Sequence, residues 1–211
     1  MVLMCTVWRR IAAVLALIAP IMVALSFEAT AQGADDLNAL NEQVSRLYKQ
    51  GKYDQAYPLA RRYVASARAQ YGDEHIQYAS AISWLAAVYS EQGHYLRAEP
   101  LRKRSLAIFE KGLGPDHKYV GDALNNLGEM YRKQGRYAEA ESFQQRSLAH
   151  SQKRSDHLDV ATSLNNLALL YTDQGRFFDA EPLHRRSLAT REKALGPNHV
   201  DVSNSLNNLG D

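Results

Sequence analysis

The chain has one cysteine in 211 residues, Cys5, and it lies ahead of an apolar run at the amino terminus. The body of the protein is therefore thiol-free, which excludes disulfide staples, cysteine-ligated zinc and thiol nucleophiles. Charge of one sign is also lacking: 25 Lys+Arg against 23 Asp+Glu give a net +2. That balance offers nothing to hold nucleic acid or an anionic membrane. No Gly-rich phosphate loop, Gly-x-Ser-x-Gly elbow or His-Glu-x-x-His occurs. Carboxylates are plentiful but scattered, so no general acid/base pair stands out. The expectation is a protein with no enzymatic activity, no cofactor and no metal.

Long apolar stretches are missing after residue 25. Ile11 to Leu25 is apolar apart from Pro20, follows Arg9 and Arg10, and precedes the small-residue stretch Ala29-Thr30-Ala31. The run falls short of the roughly 20 residues that span a bilayer. Residues 1–31 are expected to be a cleaved export signal, so that residues 32–211 work in a periplasm or outside the cell. An uncleaved N-terminal membrane anchor is the alternative. Membrane contact is otherwise expected only during export.

What the chain has is repetition. Leu-Asn-Asn-Leu occurs at 124–127, 164–167 and 206–209. Gly51, Gly93, Gly135 and Gly175 follow one another at 42, 42 and 40 residues. Gly-Asp-Glu-His, Gly-Pro-Asp-His, Arg-Ser-Asp-His and Gly-Pro-Asn-His recur in the same rhythm, from Gly72, Gly114, Arg154 and Gly196. A fixed period of 20–50 residues is the mark of a solenoid, whose long inner surface suits binding better than catalysis. The repeats are placed at 37–78, 79–120, 121–160 and 161–202, with a partial fifth at 203–211.

Each repeat holds two helical patterns. In the fourth, Val160, Leu164, Leu167, Ala168 and Tyr171 form one amphipathic stripe. Gly175 ends that helix, because glycine tolerates the left-handed conformation found there. Ala180, Leu183, Ser187 and Leu188 mark the inner side of the second helix. Pro58, Pro100 and Pro182 are placed in its first turn, where a missing amide costs little. The Gly-Pro-Asp/Asn-His segments are expected to stop the second helix, their Asp or Asn capping the next one.

These residues resemble the tetratricopeptide repeat. Leu124, Leu127, Gly128 and Tyr131, then Leu164, Leu167, Ala168 and Tyr171, are followed by Gln-Gly-Arg-Tyr/Phe and by Ala140 and Ala180. The 42-residue period and the Gly-Pro-Asp-His linker resemble the kinesin-light-chain type. The chain departs from the pattern at Gln43, at Ser83-Trp84 in place of Asn-Asn, and at Ser142 in place of proline. The resemblance implies an all-α, right-handed superhelical solenoid of antiparallel helix pairs. In it, the first helix of each pair lines the concave side.

Asparagine is a poor choice inside a helix, yet Asn125-Asn126 and Asn165-Asn166 recur there at one register. By resemblance, such amides hold the backbone of an extended peptide, with Asn41 and Ser83 at the earlier equivalents and Arg132 as a local cation. The alternative is that the amides bridge neighbouring helices. Ser45, Lys49, Glu91, Glu129, Lys133 and Asp173 align with the same face, with mixed signs. Trp84 is a ligand anchor or a core residue. Arg61-Arg62, Arg102-Lys103-Arg104 and Arg185-Arg186 read as a solvated outer face, with Glu99–Lys103 and Glu181–Arg185 as i,i+4 pairs. His75, His117, His157 and His199 recur once per repeat, too far apart to share a metal, and read as linker or capping residues.

The expected function is an exported module that binds a peptide or partner helix in the concave groove. The partner's identity is not encoded. Two alternatives follow from the partial fifth repeat. One is a scaffold that self-associates through an uncapped last helix. The other is the N-terminal part of a longer protein, enzymatic or otherwise.

Overall fold

A computed structural model describes residues 37–210; the expected export signal, 1–31, lies outside them. The described residues form helices joined by short turns, with no strand among them. They are α1 (37–49), α2 (Tyr53–Tyr71), α3 (Ile76–Glu91), α4 (Tyr95–Leu113), α5 (Lys118–Lys133), α6 (Tyr137–Lys153), α7 (His157–Asp173), α8 (Phe177–Leu195) and α9 (Val200–Gly210). Odd-numbered helices are the first of each pair and even-numbered helices the second. Each packs on its neighbours in sequence, and α5 also meets α7. No helix among the described residues is long and apolar enough to cross a membrane.

The turn within each pair is set by Gln-Gly, followed by Arg in the third and fourth pairs. Gly135 has φ +70°. Its N–H donates to the Arg132 carbonyl at 2.9 Å and the next N–H, of Arg136, to the Tyr131 carbonyl at 3.0 Å. This is the Schellman arrangement, which satisfies the last carbonyls of α5. The Arg136 guanidinium then lies 4.4 Å from the Tyr131 ring centre and bonds Glu99 Oε2 at 2.7 Å. Tyr131 OH donates to the other Glu99 oxygen at 2.8 Å. The trio recurs one repeat on: Arg176 sits 3.9 Å from the Tyr171 ring, and both groups bond Glu141. Hydrogen bonding from Lys103, then from Tyr131 and Arg136, outweighs burial and holds the Glu99 carboxyl at a pKa of about 2.

At the turn between pairs the histidines cap, as read from the sequence, at three of four junctions. His75, His117 and His199 each use Nδ1 to accept the N–H two residues on, all at 3.2 Å. Glu74, Asp116 and Asn198, just before them, do not cap. An aspartate caps only at the third junction, where Asp156 accepts from Asp159 N–H at 3.2 Å. Two residues are missing there, and a second Schellman turn replaces the Gly-Pro-Asp-His loop. Ser155 takes the left-handed position at φ +56° that glycine fills elsewhere.

The prolines also sit later than expected. Pro58, Pro100 and Pro182 are each the sixth residue of α2, α4 and α8. Those helices start directly after the Schellman turn, at an aromatic residue, so proline falls in the second turn. It deprives the carbonyls of Asp54, Leu96 and Phe178 of a donor. These three residues and the prolines are exposed, so water can take that place.

The core is a strip running the length of the stack. Ile82, Leu127, Met130, Tyr131 and Leu170 are buried in its main body, and Leu37, Leu40, Val44 and Val88 near α1. Each such aliphatic side chain contributes about 2 kcal/mol relative to exposure. Small residues set the helix spacing: a Cβ on Gly128 would lie 2.6 Å from Gln144 Nε2 on α6. Buried serines tie the pairs, with Ser105 Oγ donating to the Ala79 carbonyl at 3.0 Å and Ser187 Oγ to that of Ala161 at 2.7 Å. On α9 the buried face is Val202 and Ser205, while Leu206 is 49% exposed.

Candidate functional site

Successive first helices bring register-matched residues together, and the sequence period reappears in their bonds. Lys133 Nζ on α5 donates to both oxygens of Glu91 on α3, at 2.8 and 3.0 Å. Tyr48 OH on α1 donates to the same carboxylate at 3.0 Å. Burial, then the Glu91 charge, raise the Tyr48 pKa, so the phenol remains a donor. Arg132 grips Glu129 through two bonds of 2.9 Å and Asp173 on α7 through one of 2.6 Å. Burial pushes the Glu129 carboxyl up, but the Arg132 hydrogen bond and charge prevail and hold it low. The mixed charges read from the sequence therefore neutralise one another toward the C-terminal ends of α3, α5 and α7.

One cation lies elsewhere than expected. Arg102, assigned to the solvated outer face, is 7% exposed. It shares a register with Ala60, Gln144 and His184, which points between the helices and not outward. Its guanidinium comes no nearer than 3.4 Å to Ser90 Oγ. Burial lowers its pKa to about 10, against the opposing pull of Tyr48, Glu91 and Glu129. The outer pairs do form: Lys103 meets Glu99 at 2.7 Å and Arg185 meets Glu181 at 2.8 Å.

The amides divide into two groups. Asn166 Nδ2 donates to Asn125 Oδ1 at 3.3 Å, and Asn208 Nδ2 to Asn165 Oδ1 at 3.0 Å. The second asparagine of each pair thus reaches back to the first asparagine of the preceding repeat. Asn126 is the next donor in that series, but the residue it would reach is Ser83, whose side chain is too short to continue the ladder. Asn126 is exposed.

Asn126, Ser83 and Asn41 come together with Trp84 around a cavity of about 400 Å³ between the N-terminal halves of α1, α3 and α5. Asn41 and Trp84 also border an adjoining depression of about 510 Å³ along α1, with Ser45, Arg46 and Lys49. Trp84 is in part the core residue weighed for it. One edge packs on the core, its ring 5.6 Å from Tyr48, and the rest lines both depressions. Sequence reasoning missed Asn38, Ser80 and Asp122, which line the same cavity. They share a register one turn before Asn41, Ser83 and Asn125, so extending each polar stripe by one helical turn toward the N-terminus would have found them. The structure thus gathers Asn41, Ser83 and Asn126, and engages Asn125, Asn165, Asn166 and Arg132 within the chain.

Residues 35–111 and 78–153 match one tetratricopeptide repeat model, and 160–201 match a second. The chain belongs to the tetratricopeptide repeat family. Its solved neighbours include repeats of the kinesin-light-chain type. The nearly identical TPR-like repeats of a kinesin-light-chain-like protein from Podosopora anserina share 24% identity, with 82% of each chain covered and a TM-score of 0.68. A second structure of those repeats, also 24% identical, covers 82% of this chain and 83% of that one, at a TM-score of 0.67. BtubC (BKLC) from P. vanneervenii is 22% identical, over 86% of this chain and 80% of that one, at 0.68. These likenesses speak for the fold. No curated protein matches the sequence. A tetratricopeptide array is a scaffold for protein–protein interaction, and in this one Asn126, Ser83, Asn41 and Trp84 line an open cavity.

Proposed function

We propose that this protein is an exported, non-catalytic interaction module that holds an extended peptide against α1, α3 and α5. The observation that carries the reading is the interrupted amide ladder. Amides spent on one another toward α9 are unspent at Asn126 and Asn41, beside an aromatic wall and an open cavity. Each amide offers donors and an acceptor, the chemistry that reads a peptide backbone without regard to its side chains. Trp84 supplies the apolar contact that such anchors provide. The charged network toward Arg132 then acts as a stiffening frame beside the groove.

A displayed library of random peptides tests this. Selection on the protein should enrich sequences that no longer bind a Ser83→Arg variant, whose long side chain fills the cavity while circular dichroism stays unchanged. Enriched peptides that bind both proteins equally would place recognition elsewhere. Export is part of the same reading, and N-terminal sequencing of the protein from its source should begin at Gln32.

A further inference from the structure

We infer that the groove selects an extended peptide with a basic, an apolar and an acidic side chain at every fourth position, facing Asp122, Trp84 and the Arg46–Lys49 pair respectively. The inference rests on the groove being the binding surface.

Among the described residues, Asp122 is the only carboxylate lining the 400 Å³ cavity. Its bonded cation is shared unequally. Lys118 Nζ lies 3.4 Å from Asp122 but 3.0 and 3.1 Å from the two oxygens of Asp159. Two carboxylates thus divide one ammonium, with Arg154 adding a weaker attraction. Burial raises the Asp122 pKa, the mark of a carboxylate short of compensation. A ligand cation would supply it. At the other end of the groove the sign reverses. Arg46 and Lys49 are exposed on α1, and neither bonds a carboxylate among the described residues. Glu42, the remaining charged residue of that depression, balances only one of them.

The spacing follows from register. By the 42-residue period, Asp122 lies level with Asn38 of α1, and Trp84 lies level with Glu42. At about 1.5 Å per helical residue, Asp122 to Trp84 is about 6 Å along the helices; with about 9 Å across from one first helix to the next the step is about 11 Å, and Trp84 to Arg46 repeats it. An extended chain advances about 3.3 Å per residue and places alternate side chains on one face. About three to four residues therefore cover each step, and four keep the side chains on one face, giving basic-x-x-x-apolar-x-x-x-acidic, with the backbone between them beside Asn41, Ser83 and Asn126.

The test uses the full chain and three fluorescein-labelled peptides with serine spacers. They are Lys-Ser-Ser-Ser-Leu-Ser-Ser-Ser-Glu, the same with lysine at both ends, and the same with glutamate at both ends. Anisotropy should show the bipolar peptide binding tightest, with each mismatched charge costing about fivefold, the upper end for a solvent-accessible ion pair. Asp122→Lys should move the preference to the peptide with two glutamates. Arg46→Glu/Lys49→Glu should move it to the peptide with two lysines. Equal affinities for all three on the unaltered protein, abolished by Ser83→Arg, would overturn the charge pattern and leave the groove standing. Binding by none of them, or binding indifferent to Ser83→Arg, would overturn both. The comparison on the unaltered protein decides the matter even if a variant fails to fold.

Discussion

Replacing Asn126 with alanine should stabilise the protein while weakening it as a binder, and the same change at Asn165 should do the reverse to stability. Asparagine costs about 0.6 kcal/mol relative to alanine inside a helix. At Asn126 that cost is offset by nothing within the chain: the residue is exposed and its amide bonds no other described residue. Asn126→Ala should therefore gain about 0.6 kcal/mol. Asn165 is 8% exposed and its Oδ1 accepts from Asn208 at 3.0 Å. Losing that bond costs about 1 kcal/mol, so Asn165→Ala loses about 0.4 kcal/mol after the same propensity gain. For a domain of this size about 1 kcal/mol moves the melting temperature by about 2–4 °C. Thermal unfolding followed by circular dichroism should show Asn126→Ala melting about 2 °C higher and Asn165→Ala about 1 °C lower. Anisotropy with the bipolar peptide should show weaker binding for Asn126→Ala and unchanged binding for Asn165→Ala. An Asn126→Ala protein that melts lower would refute the reasoning, since it would mean that this amide supports the fold.

Glu99 predicts a pH dependence. Its folded pKa is lowered to about 2, so it contributes stability that is complete above its ordinary carboxylate range and is lost as pH falls toward about 2. Glu99→Gln should lower the urea midpoint at pH 7, and the deficit should shrink below about pH 4 and vanish near about pH 2. His117→Ala removes the Nδ1 acceptor at the start of α5 and should cost about 1 kcal/mol, which His117→Asn should largely restore in the same urea titration. Arg132→Ala leaves Glu129 and Asp173 without their shared cation and should cost about 2 kcal/mol of stability, with the peptide's affinity unchanged. A loss of affinity in that variant, with the helices intact, would bring Arg132 into the binding surface.

Much of this fold is legible in the sequence because it is local. The Leu, small-residue and Tyr stripe lies within one helix, and Gln-Gly with the residue after it forms its turn from consecutive residues. Local reading errs where an element's start depends on what precedes it. Pro58 looks like a first-turn proline until the Schellman turn at Gly51 sets the helix off at Tyr53. It errs again at the junctions, where histidine and aspartate stand side by side and either could cap. Arg102 is misread for another reason: nothing near it in sequence separates it from Lys103, and only its register with Gln144 and His184 turns it inward.

The candidate site shows the division most clearly. Asn125-Asn126 and Asn165-Asn166 have the same local sequence, Leu-Asn-Asn-Leu, and nothing in that sequence tells them apart. Their fates differ because each second asparagine is answered by the residue one repeat earlier, an asparagine for Asn166 and a serine for Asn126. The sequence by itself determined the period, the helix pairs, the thiol-free body and the residue types along each stripe, since all of these are set by near neighbours. Only the tertiary structure decided which amides and charges are consumed and which stay open, because those bonds join residues 41 to 43 positions apart and exist only where the stacking of the helices brings them within reach.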